Sequence, residues 1–201
     1  MWYSAPLALL CMSSAIQGLS LETVKEQPCF NISKNPTPLL DAKWALSLDT
    51  IYYPLMNTVD LYRAATDLLQ MDPKEINTGS IYYDGCLTWQ MFSNGTLMSK
   101  GYNGLTRAYK TKTEGDNLDI YTFEAEEGDA AYSGTVYTTL TDNKSYFFSA
   151  VCLNDGEMAW GVGSLTPTLP EETKKTILEH AESLGFKKEF FTELRYDKCN
   201  L

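Results

Sequence analysis

Apolar and polar positions alternate in short stretches along most of this 201-residue chain. Trp44, Leu46 and Leu48 alternate with Ala45, Ser47 and Asp49, the period of a half-buried strand. Closely spaced strand-like stretches follow at 80–92, 96–102, 105–113, 118–125, 132–140, 145–153 and 157–162. Turn chemistry separates them: Ser93-Asn94-Gly95, Glu114-Gly115-Asp116-Asn117, Glu126-Glu127-Gly128-Asp129, Asp142-Asn143 and Asn154-Asp155-Gly156. With the stretch at Trp44 this makes eight strands joined mainly by tight turns. The pattern predicts an all-β protein, an eight-stranded antiparallel up-and-down β-barrel, because closure removes exposed edges.

Two stretches break this rhythm. Residues 21–42 read as irregular, with Pro28, Pro36 and Pro38. Residues 59–70 are more helical than extended and end before Asp72-Pro73, so they read as a short helix or ordered loop in a long connection. One helix closes the chain. Thr168-Leu169-Pro170-Glu171 has the spacing of a capping box, and Ile177, Leu178, Ala181 and Leu184 share a face. Gly185 then suits a left-handed cap, closed by Phe186. The apolar stripe predicts packing against the barrel wall.

Composition adds a compartment. Met1–Ser20 holds no charged residue, and Ala5–Met12 is an apolar run followed by the small residues Gly18 and Ser20. It reads as a secretory signal peptide over 1–20, leaving one domain over 21–201. The run is too short to span hydrocarbon, so no membrane insertion is expected. Of five cysteines, Cys11 lies in the leader, and Cys29, Cys86, Cys152 and Cys199 remain for two bridges, with three connectivities open. Sequons at Asn31, Asn94 and Asn143 are candidate glycosylation sites on the surface of an exported chain. The net charge of −10 without a basic stripe argues against nucleic acid and against anionic lipid surfaces.

The chemistry of catalysis is missing. His180 is the sole histidine, in the last turns of the helix, where a surface role beside the helix dipole is expected. It has no triad partner and no metal-ligating companions, and Gly101-Tyr102-Asn103-Gly104 lacks the helix a phosphate loop needs. The chain reads as neither an enzyme nor a cofactor protein.

Trp44 near the start of the first strand, Thr141-Asp142 with Tyr146 before the seventh, and a helix after the eighth resemble the lipocalin pattern. Ala42 stands where that pattern has Gly, Asn143 where it has an aromatic, and Ser164-Leu165 where it has an Arg. Met158-Ala159-Trp160, Leu169-Pro170-Glu171-Glu172-Thr173 and Cys199 resemble the apolipoprotein D-like branch and its arthropod relatives. The long Trp44–Cys86 connection and the missing Arg resemble divergent salivary lipocalins of ticks and other blood-feeding arthropods. The resemblance implies a barrel holding an apolar small molecule, with Trp44 plugging its floor. It also implies the bridges Cys29–Cys152 and Cys86–Cys199.

An outward Cys86 would turn Thr88 and Gln90 to water and Leu87, Trp89 and Met91 inward. The same alternation gathers Leu48, Leu105, Arg107, Tyr109, Met158 and Trp160 as the remaining ligand-binding candidates. None is acidic, which favours a sterol or fatty acid over a biogenic amine, since a desolvated ammonium needs an opposite charge. An overlooked inward carboxylate would lie near Asp119, or near Asp60 and Asp67 in the long connection. Two functions follow: carriage or sequestration of a hydrophobic ligand, and, alternatively, engagement of a host or self protein through the outer surface.

Overall fold

From Thr88 to Ser164 the chain runs as a meander in which each strand pairs antiparallel with the next. The computed structural model describes residues 32, 39–57, 82–84, 86–101, 106–114, 117–125, 132–187, 191–197 and 199. In chain order these form α1 (Ala42–Leu46), β1 (Ile51–Asn57), β2 (Tyr82–Asp84), β3 (Thr88–Met91), β4 (Thr96–Lys100), β5 (Thr106–Glu114) and β6 (Asn117–Ala125). Then come β7 (Gly134–Thr141), β8 (Tyr146–Leu153), β9 (Met158–Ser164), α2 (Glu171–Ser183) and β10 (Phe191–Arg195). Strand β9 pairs back onto β1, Leu55 beside Val162 and Met56 beside Gly161, so β1 and β3–β9 close an eight-stranded antiparallel barrel.

The beginning of the barrel differs from the sequence expectation. Trp44 lies in helix α1, not in a strand. Asp41 caps that helix, its carboxylate accepting from the Lys43 and Trp44 amides at 2.9 and 3.1 Å. Leu46 is exposed and Leu48 half-buried. The first strand is Ile51–Asn57, which Pro54 disguises. Proline cannot donate to a ladder and so favours bulges and edges. Here the register with β9 shifts between Tyr52 and Leu55. Across that interval β1 also changes its other neighbour, from β3 at Ile51–Tyr52 to β10 at Leu55–Asn57.

The stretch read as one strand over 80–92 is two. β2 runs parallel to β10, whereas β3 belongs to the barrel. Between them Cys86 takes φ +45°. The Tyr196 hydroxyl fills the gap in the ladder here: it accepts from the Tyr53 amide at 2.8 Å and donates to the Leu87 carbonyl. The segment expected as helix or loop, 59–70, lies outside the described residues.

Helix α2 packs on the barrel's outer face. Ile177 and Ala181 are buried against Phe148, Trp160 and Val162. Its N-terminus departs from the expected capping box, because Pro170 is the cap residue and no side chain caps it. Its C-terminus follows expectation. The Gly185 amide donates to Glu182 O and the Phe186 amide to Ala181 O, with Gly185 at φ +95° and Phe186 buried. His180 is not the surface residue expected. Its Nε2 lies 2.8 Å from Thr139 Oγ1 and its ring meets Phe148 edge-on at 5.1 Å, so it joins helix to barrel. Lys174 adds a second tie, to Glu193 on β10 at 2.8 Å.

Candidate functional site

The barrel encloses a cavity of about 110 Å³. Residues two apart on each strand share its inner face. Leu87, Trp89 and Met91 supply one wall, with Leu97 and Tyr109 beside it on β4 and β5. Tyr121, Phe123, Val136, Thr138, Ser149 and Val151 carry the lining round through β6, β7 and β8. Tyr53 and Phe147 enter from β1 and β8. They need room on β9, which glycine provides. A Cβ on Gly161 would sit 2.0 Å from the Tyr53 hydroxyl, and one on Gly163 would sit 2.2 Å from Cζ of Phe147.

Rings dominate this interior. Trp89 lies between Tyr53 at 5.6 Å and Tyr109 at 5.9 Å, and Tyr109 meets Phe123 edge-on. Among the described residues, none that lines the cavity carries a formal charge at neutral pH. Burial pushes the Tyr121 phenol far above its ordinary value, so it stays protonated. Thr138 and Ser149 face each other with their hydroxyls 3.3 Å apart.

One end of the barrel is closed by the chain entering α1. Leu40 and Ala45 line the cavity floor and pack on Leu118. Trp44 lies there as well, half-buried and edge-on to Phe147 at 6.3 Å, while Leu40 and Ala45 face the cavity. Two polar clamps hold this segment. Asp119, of the same strand parity as Tyr121, is buried and accepts from the Leu39 and Leu40 amides at 2.5 and 2.7 Å. Asn143, at φ +53°, accepts from the Asp41 amide and donates to Leu39 O. The Thr141-Asp142 motif builds the turn that presents it. Thr141 Oγ1 accepts from the Asn143 amide and donates to Tyr146 O. Burial would raise the Asp142 carboxyl, but hydrogen bonds from Ser145, Lys144 and Tyr146 outweigh it and hold it at about 2.

The sequence-derived candidates divide into five groups. Leu87, Trp89, Met91 and Tyr109 line the cavity, whereas Leu48 does not. Leu105 lies outside the described residues. Arg107 shares the face of Tyr109 one step away from the floor, its Cζ 5.6 Å from the ring centre of the cavity residue Tyr132. Met158 and Trp160 point the other way, into the core beneath α2, where Trp160 stacks on Phe148 at 5.4 Å. The inward side of β9 is small, Ala159, Gly161 and Gly163, so the large residues mark the helix side. The expected outward Thr88 is outside the cavity yet buried. Its neighbour on β1, Tyr52, packs on Tyr196 at 5.3 Å, so this outer wall is covered. Sequence reasoning missed Tyr53, Tyr121, Phe123 and Phe147; the aromatic alternation of Tyr121 and Phe123 on one strand was the usable signal for those two.

Cys86 is bridged to Cys199, as the resemblance implied. Cys152 is also disulfide-bonded; Cys29 lies outside the described residues. Asn94 is exposed on the β3–β4 turn, Asn31 lies outside the described residues, and the Asn143 amide is engaged at the floor. Among the described residues no helix is long and apolar enough to cross a membrane, and no acidic, histidine or cysteine group could hold a metal ion.

No family model matches the sequence, and no curated protein sequence matches it. Solved structures do. Apocrustacyanin C2 superposes with a TM-score of 0.52 at 13% identity, over 88% of this chain and 93% of that one. Lobster apocrustacyanin A1 gives 0.51 at 14% identity, over 81% and 90%. A tyrosine-to-alanine mutant of LTBP1 in complex with leukotriene C4 gives 0.53 at 15% identity, over 87% and 97%. At these identities the likeness concerns the fold. With the closed barrel and the helix that follows it, it establishes that this chain has the lipocalin fold.

Proposed function

We propose that this protein is a secreted, non-enzymatic binder that carries or sequesters one hydrophobic small molecule in its barrel. The observation that carries the reading is the charge-free, aromatic-walled cavity closed below by Leu40 and Ala45. Apolar walls with few polar groups are the ordinary make-up of small-molecule sites. The fold neighbour in complex with leukotriene C4 supports it by analogy.

Magnitude narrows the ligand. The cavity of about 110 Å³ is below the roughly 300–1,000 Å³ of common ligand pockets. A slim alkyl chain enters with less rearrangement than a fused-ring sterol, which would have to turn Tyr53, Trp89 or Tyr109 aside. A biogenic amine finds no counter-charge among the described residues of the wall. The inward carboxylate near the floor, Asp119, is already engaged by two backbone amides. Arg107, at the end of the barrel away from the floor, suits an acidic head group.

The test is fluorescence titration with the neutral probe N-phenyl-1-naphthylamine, followed by displacement. Probe binding, displaced by stearate and not by histamine, is the expected result. Trp89→Glu places an unpaired charge in the wall and Val136→Trp fills the space, so each should abolish binding while leaving circular dichroism native. A folded wild-type protein that binds neither probe nor stearate refutes the proposal.

A further inference from the structure

Asn94-Gly95-Thr96 and Asn143-Lys144-Ser145 are the same glycan-acceptor motif, yet the fold uses the two asparagines in opposite ways. Asn94 is exposed in the β3–β4 turn. Its Oδ1 accepts from the Thr96 amide at 3.0 Å, and among the described residues its Nδ2 has no hydrogen-bond partner. Asn143 is half-buried, and both ends of its amide are spent on the chain that closes the cavity floor. Its Oδ1 accepts from the Asp41 amide at 2.8 Å, and its Nδ2 donates to Leu39 O at 2.7 Å. The hydroxyl of its motif is engaged as well, Ser145 Oγ donating to the Asp142 carboxylate.

A glycan is bulky and solvated and needs a surface position, which Asn94 gives it. A sugar on Nδ2 makes a secondary amide, in which the substituent lies in the amide plane on the side of the carbonyl oxygen, as the chain does in a trans peptide. Asn143 offers both that oxygen and that nitrogen to residues 39–41, so a sugar there would stand where this segment has to lie. Leu40, the residue between the two bonds, lines the cavity floor. Resting on the secreted reading above, we propose that Asn94 is the glycan-bearing site, and that at Asn143 a glycan and a closed floor exclude each other. The ligand-holding form is then glycosylated at Asn94 and bare at Asn143. Met91, three residues before Asn94, packs in the floor cluster with Leu40 and Ala45, so the glycan stands at the floor end of the barrel.

The test expresses the full chain, with its own N-terminal segment, in a secreting insect-cell line and recovers it from the medium. An endoglycosidase that leaves one N-acetylglucosamine on each occupied asparagine, followed by peptide mass mapping, should find that sugar on Asn94 and a bare Asn143. Hydrogen exchange reads the floor independently. Asn94→Gln should lose the glycan and leave the amides of Leu39, Leu40 and Asp41 exchanging as slowly as before. Asn143→Gly, which tolerates the positive φ and removes both bonds, should speed the Asp41 amide roughly three- to tenfold, the worth of one neutral hydrogen bond. Any glycoform occupied at Asn143 should show the same acceleration. An unmodified Asn94 in the secreted protein overturns the assignment. Slow exchange of the Asp41 amide in Asn143→Gly, or in protein glycosylated at Asn143, overturns the exclusion. Each of these results leaves the ligand-binding reading standing. A chain that never reaches the medium overturns the secreted reading, and the inference falls with it.

Discussion

Tyr196 shows how much one hydroxyl can hold. It lies just past the last strand, yet it satisfies the Tyr53 amide on β1 and the Leu87 carbonyl before β3, where the two strands part. Burial raises its phenol far above the ordinary value, so it stays a donor at all working pH values. Tyr196→Phe keeps the ring against Tyr52 and removes both bonds. Leaving buried backbone groups unpaired should lower stability by about 1–3 kcal/mol. Urea unfolding measures this, and a loss under about 0.5 kcal/mol, the size of an ordinary surface change, would contradict the role given to the hydroxyl. Asn143 and Asp119 act similarly at the other end. Both look like turn or surface residues in the sequence, and both prove to be clamps on residues 39–41.

At the scale of elements, α2 and the barrel wall form a second core outside the ligand cavity. His180 stands in that seam. Its burial holds the imidazole below the ordinary histidine value. The folded chain therefore takes up this proton less readily than the unfolded chain. The stability it supports is complete above the unfolded value, near pH 6.5, and is lost as pH falls from there through the lower folded value. Wild-type thermal midpoints should fall on acidification below about pH 6.5, and His180→Phe should flatten that slope while keeping the contact with Phe148. An unchanged slope in the variant would remove His180 as its source. This seam also explains why the sequence misplaces Met158 and Trp160. When both faces of a strand are buried, periodicity groups residues by face without saying which face is inside. The glycines at 161 and 163 were the informative residues, since the inner rings of Tyr53 and Phe147 leave no space there for a side chain.

For the molecule as a whole, the Cys86–Cys199 bridge ties the entry to β3 to the segment after β10 across a sequence separation of 113. By the loop-entropy model a closure of this length stabilises by at most about 5 kcal/mol. Replacing both cysteines by serine should lower the thermal midpoint clearly, with the barrel meander, which the bridge does not join, still forming. Peptide mapping without reduction should find Cys86–Cys199 and pair Cys152 with Cys29. A Cys29–Cys86 peptide, or a free thiol at Cys152, would break this scheme and the register argument that began from an outward Cys86.

The sequence by itself determined the run of antiparallel strands between 96 and 164, its turns at 142–143 and 154–156, the final helix with its glycine cap, and the inward set Leu87, Trp89, Met91 and Tyr109. These rest on local signals: a period of two, turn residues with special backbone angles, and a polar alternation that one open outer face preserves. Tertiary structure decided the rest. It anchored the chain entering α1 on Asp119 and Asn143, so that Trp44 falls in a helix and not a strand, placed the first strand across Pro54, divided 80–92 between barrel and flanking strand, and turned Trp160 towards α2. Each of these depends on which partner lies across the chain. A proline is harmless only where its strand changes partners, and a large side chain faces inward only if the opposite face is not covered by a helix. Such partners are distant in sequence, and no local pattern encodes them.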